Sequence, residues 1–476
     1  MHPILKPGLR RLWHNGSTLQ LGIDPARAVV VTGLQPAHTA LLDALDGHRT
    51  LEQVRADSGP AGRDLLDLLD AAGMLADAAV PSVAAPDPAA LARLAEALGA
   101  PGRTGLPGPT GGREPSDGAG LSDSSGLSAP PGTAEQKRLL PDLAALSLRS
   151  ADPARPSAVL RARRAARVVV RGAGRVGAQI AALLAAAGIG RIVIDDSGVT
   201  TAADIAPGGL RLADVGRPRA LAVGGALARI GHNPTGQLPS SPRGPAGGGH
   251  GPRRSSLPAF DADFVVLAPI GPPTLAPGAA LELEQLGRAH LIAGVQETSG
   301  IVGPLVVPGL TACLHCQHLH RHTRDPAWPL LAMQLVRPHA AGDDPCEITL
   351  ASLVAALAAM QSLDYLDAAM LIRQSGGVNS RQVTATTNAE TNATFYGAGP
   401  LLPATANGTL EFAAPGWRVR RRSWPVHPNC PCRTARSAAR AATGATGAAG
   451  LDAPDAAGGG DRRGRPVRRS TPTGSG

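Results

Sequence analysis

Arg167-Val168-Val169-Val170-Arg171-Gly172-Ala173-Gly174-Arg175-Val176-Gly177 is the stretch that decides the fold. An apolar strand breaks into Gly-x-Gly-x-x-Gly, and the segment from Gln179 to Ala187 that follows has helix-forming composition. This is how a nucleotide-binding βαβ unit begins. The first glycine permits a tight turn, the second lets backbone amides approach a phosphate, and the third lets the helix pack on the strand. The helix N-terminus then faces the anion. Gly188-Ile189-Gly190 stops the helix, Arg191-Ile192-Val193-Ile194 forms a second strand, and Asp195 and Asp196 stand at its end, where a ribose-binding carboxylate belongs. In a chain with 59 glycines the spacing alone says little. The strand before it, the helix after it and the acid at the right distance make it a fold signal.

The chain has 476 residues, enough for two or three domains with proper cores. Only 2% of them are aromatic and Lys6 and Lys137 are its only lysines, so the Ala-, Gly- and Arg-rich runs reflect a composition bias and count little as signals. A formal charge of +9 raises nucleic acid as a partner. Much of the excess sits beyond Cys432, where eight Arg face three Asp in a Gly/Ala-rich segment with no interleaved aromatic. That pattern reads as a disordered basic tail over 433–476, and no nucleic-acid partner is expected. The chain shows no run of about 18 apolar residues and no signal-peptide core, so no membrane partner and a cytoplasmic location are expected. In that compartment cysteines read as metal ligands or redox groups sooner than as disulfides.

Residues 1–78 read as a small domain. Strand candidates lie at Arg10–Trp13, Thr18–Gly22 and Ala28–Thr32, with Asn15-Gly16 as a hairpin turn, and three helical segments follow up to Gly73. Three strands then three helices make a winged-helix arrangement. The order Leu5-Lys6-Pro7, Leu41-Leu42-Asp43-Ala44-Leu45-Asp46-Gly47-His48-Arg49-Thr50-Leu51 and Leu69-Asp70-Ala71-Ala72-Gly73-Met74-Leu75 resembles the PqqD-like leader-peptide recognition domain of ribosomal peptide modification systems. The resemblance implies that an extended leader peptide adds as a strand beside Val29, Val30, Val31 and Thr32 and packs on Leu65, Leu68 and Leu69. A winged helix that packs on its neighbour or binds DNA is the other reading. Asp57 to Leu75, with one Arg and four Asp, lacks the basic recognition helix DNA needs.

Residues 79–150 are Pro-, Gly- and Ser-rich and read as a linker with one helical island at Leu91–Leu98, and 239–258 as a low-complexity insert. The domain at 151–432 continues with a helix at Ala220–Ile230, a strand at Phe264–Leu267, a helix at Ala279–Gly287, a strand at His290–Val295 and an extended, antiparallel segment at Gly300–Pro308. Alternation of this kind gives an α/β sheet. A long apolar helix spans Glu347–Leu371, and further extended segments at Arg381–Thr386, Thr409–Phe412 and Trp417–Trp424 lead to the last cysteines.

Cys313-Leu314-His315-Cys316 and the distant Cys430-Pro431-Cys432 supply four thiolates for one tetrahedral Zn²⁺. With no open position the site is structural, and it staples the C-terminal segment to the domain. The competing reading is a redox-active Cys313/Cys316 pair, which leaves Cys430 and Cys432 without a role. Cys346 is left over, and His315, His318, His320, His322 and His427 are expected as exposed polar groups around the site.

Residues from about 150 to 432 resemble the ThiF/MoeB/HesA superfamily of ubiquitin-activating-type adenylyltransferases. The similarity rests on the glycine loop, the Asp195-Asp196 strand end, Val215-Gly216-Arg217-Pro218, Gly309-Leu310-Thr311-Ala312-Cys313 and the paired cysteines. Leu319-His320-Arg321-His322-Thr323-Arg324-Asp325-Pro326-Ala327-Trp328-Pro329 and His427-Pro428-Asn429-Cys430-Pro431-Cys432 look like the leader-binding partner protein of thiazole/oxazole cyclodehydratases within it. The fold class expected is therefore α/β, a Rossmann-like ThiF-type sheet with a structural zinc staple behind a winged-helix domain.

Active members of the superfamily carry a phosphate-binding arginine, a lysine and a magnesium-binding aspartate. The matching positions here hold Asp204-Ile205-Ala206-Pro207, Arg219 and Ala268-Pro269-Ile270-Gly271. Gly172, Gly174, Gly177, Asp195, Asp196 and Arg219 are then the remnant of a nucleotide site, no residue is catalytic, and ATP is not expected as a cofactor. The resemblance implies a homodimer that presents a precursor peptide to a separate YcaO-type cyclodehydratase, which forms azolines from Cys, Ser or Thr. An active adenylyltransferase for a ubiquitin-like carrier or a peptide C-terminus, and an NAD(P)-binding oxidoreductase, are the alternatives.

Overall fold

The computed structural model describes residues 1–24, 27–78, 137–149, 152–232, 262–337, 339, 344–374, 402–413 and 416–434. The Leu91–Leu98 helix, the 239–258 insert, the Arg381–Thr386 strand and the tail beyond residue 434 lie outside these. The chain divides into two compact units, one of Met1–Lys6 with Ala37–Gln136 and a larger one of Pro7–Pro36 with Lys137–Gly476.

All three strands and all three helices expected in residues 1–78 are present: β2 (Arg11–Asn15), β3 (Thr18–Leu21), β4 (Val29–Thr32), α1 (Pro36–Asp43), α2 (Leu51–Asp57) and α3 (Gly59–Ala71). They are shared between the units, however. The antiparallel β2-β3-β4 sheet belongs to the larger unit and the helices to the smaller, α1 by all but its first residue. The smaller unit adds an antiparallel pair, β1 (Pro3–Leu5) with β5 (Leu75–Asp77), whose three-residue strands are too short to show a period in sequence. Its α2 begins at a capping box in which Thr50 Oγ1 accepts from the Gln53 amide and Gln53 Oε1 from the Thr50 amide.

In the larger unit α4 (Leu140–Leu148) packs on α5 (Arg155–Ala165), so the linker expected over 79–150 gives way to helix within its last third. A seven-stranded mixed sheet follows, in the order β12-β11-β10-β9-β8-β6-β7. β6 (Arg167–Arg171) lies parallel to β7 (Arg191–Asp195) and to β8 (Phe264–Leu267), and β8 to β9 (His290–Gln296). β10 (Ser299–Val306), β11 (Gly408–Ala413) and β12 (Val419–Ser423) continue the sheet antiparallel. The parallel strands need crossover helices, and α6 (Gly177–Ala186) and α7 (Arg219–Arg229) serve. α8 (Pro277–Gln285) leads into β9. Val168 and Val170 face the core that holds Ile180, Leu184, Phe264 and Leu291.

α9 (Leu314–Arg324) and α10 (Trp328–Leu335) precede α11 (Ile348–Gln374). Residues Ile348–Ala369 of α11 are long and apolar enough to cross a membrane, a property the sequence reading did not expect. Here Leu350, Ala351, Val354, Ala355 and Ala358 are buried in the main core against β9, β10, α5 and α6. Abundant alanine lets this helix lie close to the sheet.

Candidate functional site

The loops after β6, β7 and β8 leave the C-terminal ends of parallel strands and converge, the position where α/β sheets bind ligands. Gly172 has φ of +90°, and a Cβ there would stand 2.0 Å from the Ala268 carbonyl oxygen. No side chain fits that approach. Gly177, at the first turn of α6, lies equally close to the Gly172 carbonyl. A Cβ on Gly174 would meet Ile270 Cγ1 at 3.0 Å and Asp204 Oδ1 at 3.1 Å, so Ile270 and Asp204 lie close against the loop.

The aspartates and arginines here bond to groups of the protein itself. Arg171 Nε donates to Asp195 at 2.8 Å. The buried Asp196 carboxylate accepts from the Ala173 amide at 2.8 Å, the Gly198 amide at 2.7 Å and Arg219 Nε at 3.2 Å. Arg219 Nη1 reaches Asp204 at 3.1 Å and the Val199 carbonyl at 3.0 Å. Burial lowers the Arg219 pKa, but Asp196 and Asp204 outweigh it and raise it above the usual arginine value. Arg175 crosses the loop and donates to the carbonyls of Ala203 and Cys346, both at 2.7 Å. Arg171 pairs with Asp195 and Arg219 with Asp196 and Asp204, whereas Arg175 is held by carbonyl oxygens among the described residues. The cavity among Gly174, Asp204, Ile270, Asp344 and Cys346 measures about 60 Å³. That holds a few waters, whereas ligand pockets run to roughly 300–1,000 Å³. Cys346, the leftover thiol, lines this cavity half-buried, and burial pushes its pKa up.

The four cysteines meet. Cys313, Cys316, Cys430 and Cys432 are buried and unbridged, with all sulfurs within 4.8 Å of one another. Neighbouring Sγ separations are 3.7 Å (Cys313–Cys316), 3.5 Å (Cys313–Cys430) and 3.4 Å (Cys316–Cys432). A tetrahedral Zn–S bond of about 2.3 Å puts sulfurs about 3.8 Å apart, so the set fits zinc. Hydrogen bonds from Cys313, Cys430 and Cys432 push the Cys316 thiol far below its usual range, while bonding to Cys316 pushes Cys313 far above it. A dication held among the four would favour the thiolate form of each. Cys313 caps α9 and Cys316 lies in its first turn, where the helix dipole favours thiolates. The His427 amide donates to Cys316 Sγ at 3.4 Å.

Not all the surrounding histidines are exposed, contrary to expectation. His318 and His427 are buried, because Trp328 Nε1 donates to His318 Nδ1 at 3.0 Å and the His427 ring lies edge-on to His320, 4.8 Å between centroids. His318 lies one turn beyond the buried Leu314 on the same face of α9, which sets it inside.

The expected peptide-binding residues divide between the units. Leu65 and Leu69 are buried and Leu68 is half-buried on α3 of the smaller unit, while Val29, Val30, Val31 and Thr32 form β4, one edge of the three-stranded sheet of the larger unit. The opposite edge is closed. Gln334 of α10 accepts from the Trp13 amide at 3.0 Å and donates to the Trp13 carbonyl at 2.9 Å, bonding β2 as a neighbouring strand would. Leu12 and Ile23 pack on Leu331 and Leu335 beneath it. Glu297 accepts from the amides of Ile23 and Asp24, both at 2.8 Å, and Arg10 pairs with Asp344 at 2.6 and 2.7 Å. Sequence reasoning missed Arg10, Glu297 and Gln334. All are ordinary surface residue types there, and only their partners, hundreds of residues away, give them a role.

Residues 150–235 match the ThiF family model. No curated protein sequence matches the chain. Among solved structures, E. coli MccB with ATP is 13% identical, with 91% of this chain and 99% of that one covered and a TM-score of 0.43. E. coli MccB with MccA-N7isoASN is 12% identical at the same coverage, TM-score 0.42, and PaaA is 14% identical over 88% and 99%, TM-score 0.39. Scores this low bear on no question of function.

Proposed function

We propose that this chain is a ThiF-type scaffold that captures the leader of a ribosomal precursor peptide along β4 and presents the peptide to a separate YcaO-type cyclodehydratase. The observation that carries the reading is the asymmetry of the small sheet. Gln334 closes the β2 edge, whereas β4 has backbone bonds to β3 alone among the described residues. An unpaired edge with half-exposed Val29, Val30 and Thr32 suits strand addition. The glycine-loop site supports a role other than ATP chemistry, since Arg219 is tied to Asp196 and Asp204 and the cavity measures about 60 Å³.

The test is binding of the short precursor encoded beside the gene, labelled at its C-terminus and followed by fluorescence anisotropy. Saturable binding is expected, weakened at least about tenfold by Val30→Pro, since proline distorts the edge strand. Equal binding by wild type and variant removes the β4 assignment.

A working adenylyltransferase is the second reading, favoured by the ThiF match over 150–235 and the intact glycine loop. It requires Ile270 and Arg175 to swing off the loop, and it predicts ATP–pyrophosphate exchange in the presence of peptide.

A further inference from the structure

Among the described residues β12 is the outermost strand of the large sheet, bonded to β11 on one side. It carries Arg420, Arg421 and Arg422, with Arg418 just before it, and by the two-residue period Arg418, Arg420 and Arg422 share a face. Arg422 is held by Glu411 at 2.8 and 3.2 Å. Arg421 turns back onto the carbonyls of Ala404 and Ala406, both at 2.9 Å. Arg418 and Arg420 are exposed and make no ion pair or hydrogen bond among the described residues, although Arg420 stands opposite Glu411 in register.

The neighbourhood adds to the imbalance. Arg321 lies 4.5 Å from the Trp328 ring centroid and 5.6 Å from that of Trp424, and Arg324 and Arg422 lie 5.7 and 5.8 Å from Trp424. Three guanidiniums thus gather on two indoles with one carboxylate, Glu411, among them. Burial and then repulsion from Arg422 lower the Arg321 pKa to about 10. With Arg418 and Arg420 alongside, this end of the sheet holds positive charge that its own acids do not match.

We propose that the outer edge of β12 docks an extended acidic segment of a partner protein, which adds as a further strand with carboxylates at alternate positions facing Arg418 and Arg420. Backbone bonding supplies affinity and the arginines supply register and choice of partner. A second copy of β12 is disfavoured because arginine would oppose arginine. A strand edge presents both N–H and C=O groups, which suits a peptide backbone better than the acceptor-only phosphates of a nucleic acid. Charged edges also guard sheets against self-pairing. Docking makes the additional demand that a matching acidic strand binds.

The zinc-loaded full chain is titrated into three labelled probes, read by anisotropy: a peptide alternating Glu with Val, the same peptide with proline at every Val, and single-stranded DNA. Saturable binding of the first is expected, weakened at least about tenfold in Arg418→Glu/Arg420→Glu and in the proline peptide, with DNA bound more weakly than the Glu/Val peptide. Zinc content and circular dichroism confirm that the variant is folded. Absence of binding, equal binding of the proline peptide, equal binding by the variant, or tighter binding of DNA each overturns the proposal.

Discussion

At the scale of single residues the glycine-loop site is a cluster of ion pairs. Arg219 bonds Asp196 and Asp204, both largely buried, so truncating it leaves two carboxylates without their counter-ion. Arg219→Ala is expected to destabilise the chain by about 3 kcal/mol, read as a lower urea midpoint. Asp196 itself was legible as a strand-end acid, but its engagement with Arg219 was not, because the sequence shows a charge and not what lies opposite it. His290 shows the same limit. It is fully buried with Nδ1 bonded to the Arg288 carbonyl, and burial lowers its pKa to about 4. An unfolded histidine takes up its proton near pH 6.5, so between about 6.5 and 4 the unfolded chain binds more protons and stability falls as pH falls. His290→Gln is expected to flatten that fall by up to roughly 3 kcal/mol in denaturation at pH 7 and pH 4.5.

At the scale of elements two staples hold the larger unit. The four sulfurs tie the start of α9 to the segment after β12. Metal analysis is expected to find about one zinc per chain, and Cys430→Ser/Cys432→Ser to lose it and to expose residues 424–434 to limited proteolysis. Retained zinc in the double variant removes the four-thiolate assignment. This staple was readable in advance, since C-x-x-C and C-x-C are local chelating pairs whose spacing survives whatever lies between them. The closing of β2 by Gln334 was not, because any strand has two edges in sequence and only packing says which is taken. Gln334→Ala is expected to free the Trp13 amide and speed its hydrogen exchange while leaving that of β3 unchanged.

At the scale of the whole molecule the sheet brings the glycine loop, Asp195, Asp196 and Arg219 to the C-terminal ends of its parallel strands, beside a cavity of about 60 Å³. Magnesium-ATP is expected to leave the melting temperature unchanged, and a rise of several degrees would restore the adenylyltransferase reading. What the sequence determined alone is local and covalent in reach: the β6–loop–α6 turn that only glycine allows, the order of strands and helices, and the two cysteine pairs. What only the tertiary structure decided is the grouping of those elements. It placed β2-β3-β4 in one unit with the large sheet, buried His318, set Ile270 against the glycine loop and, among the described residues, left Arg418 and Arg420 without partners beside β11. Those outcomes depend on contacts between residues far apart in the chain, whose energies belong to pairs and burial and are written in no single segment.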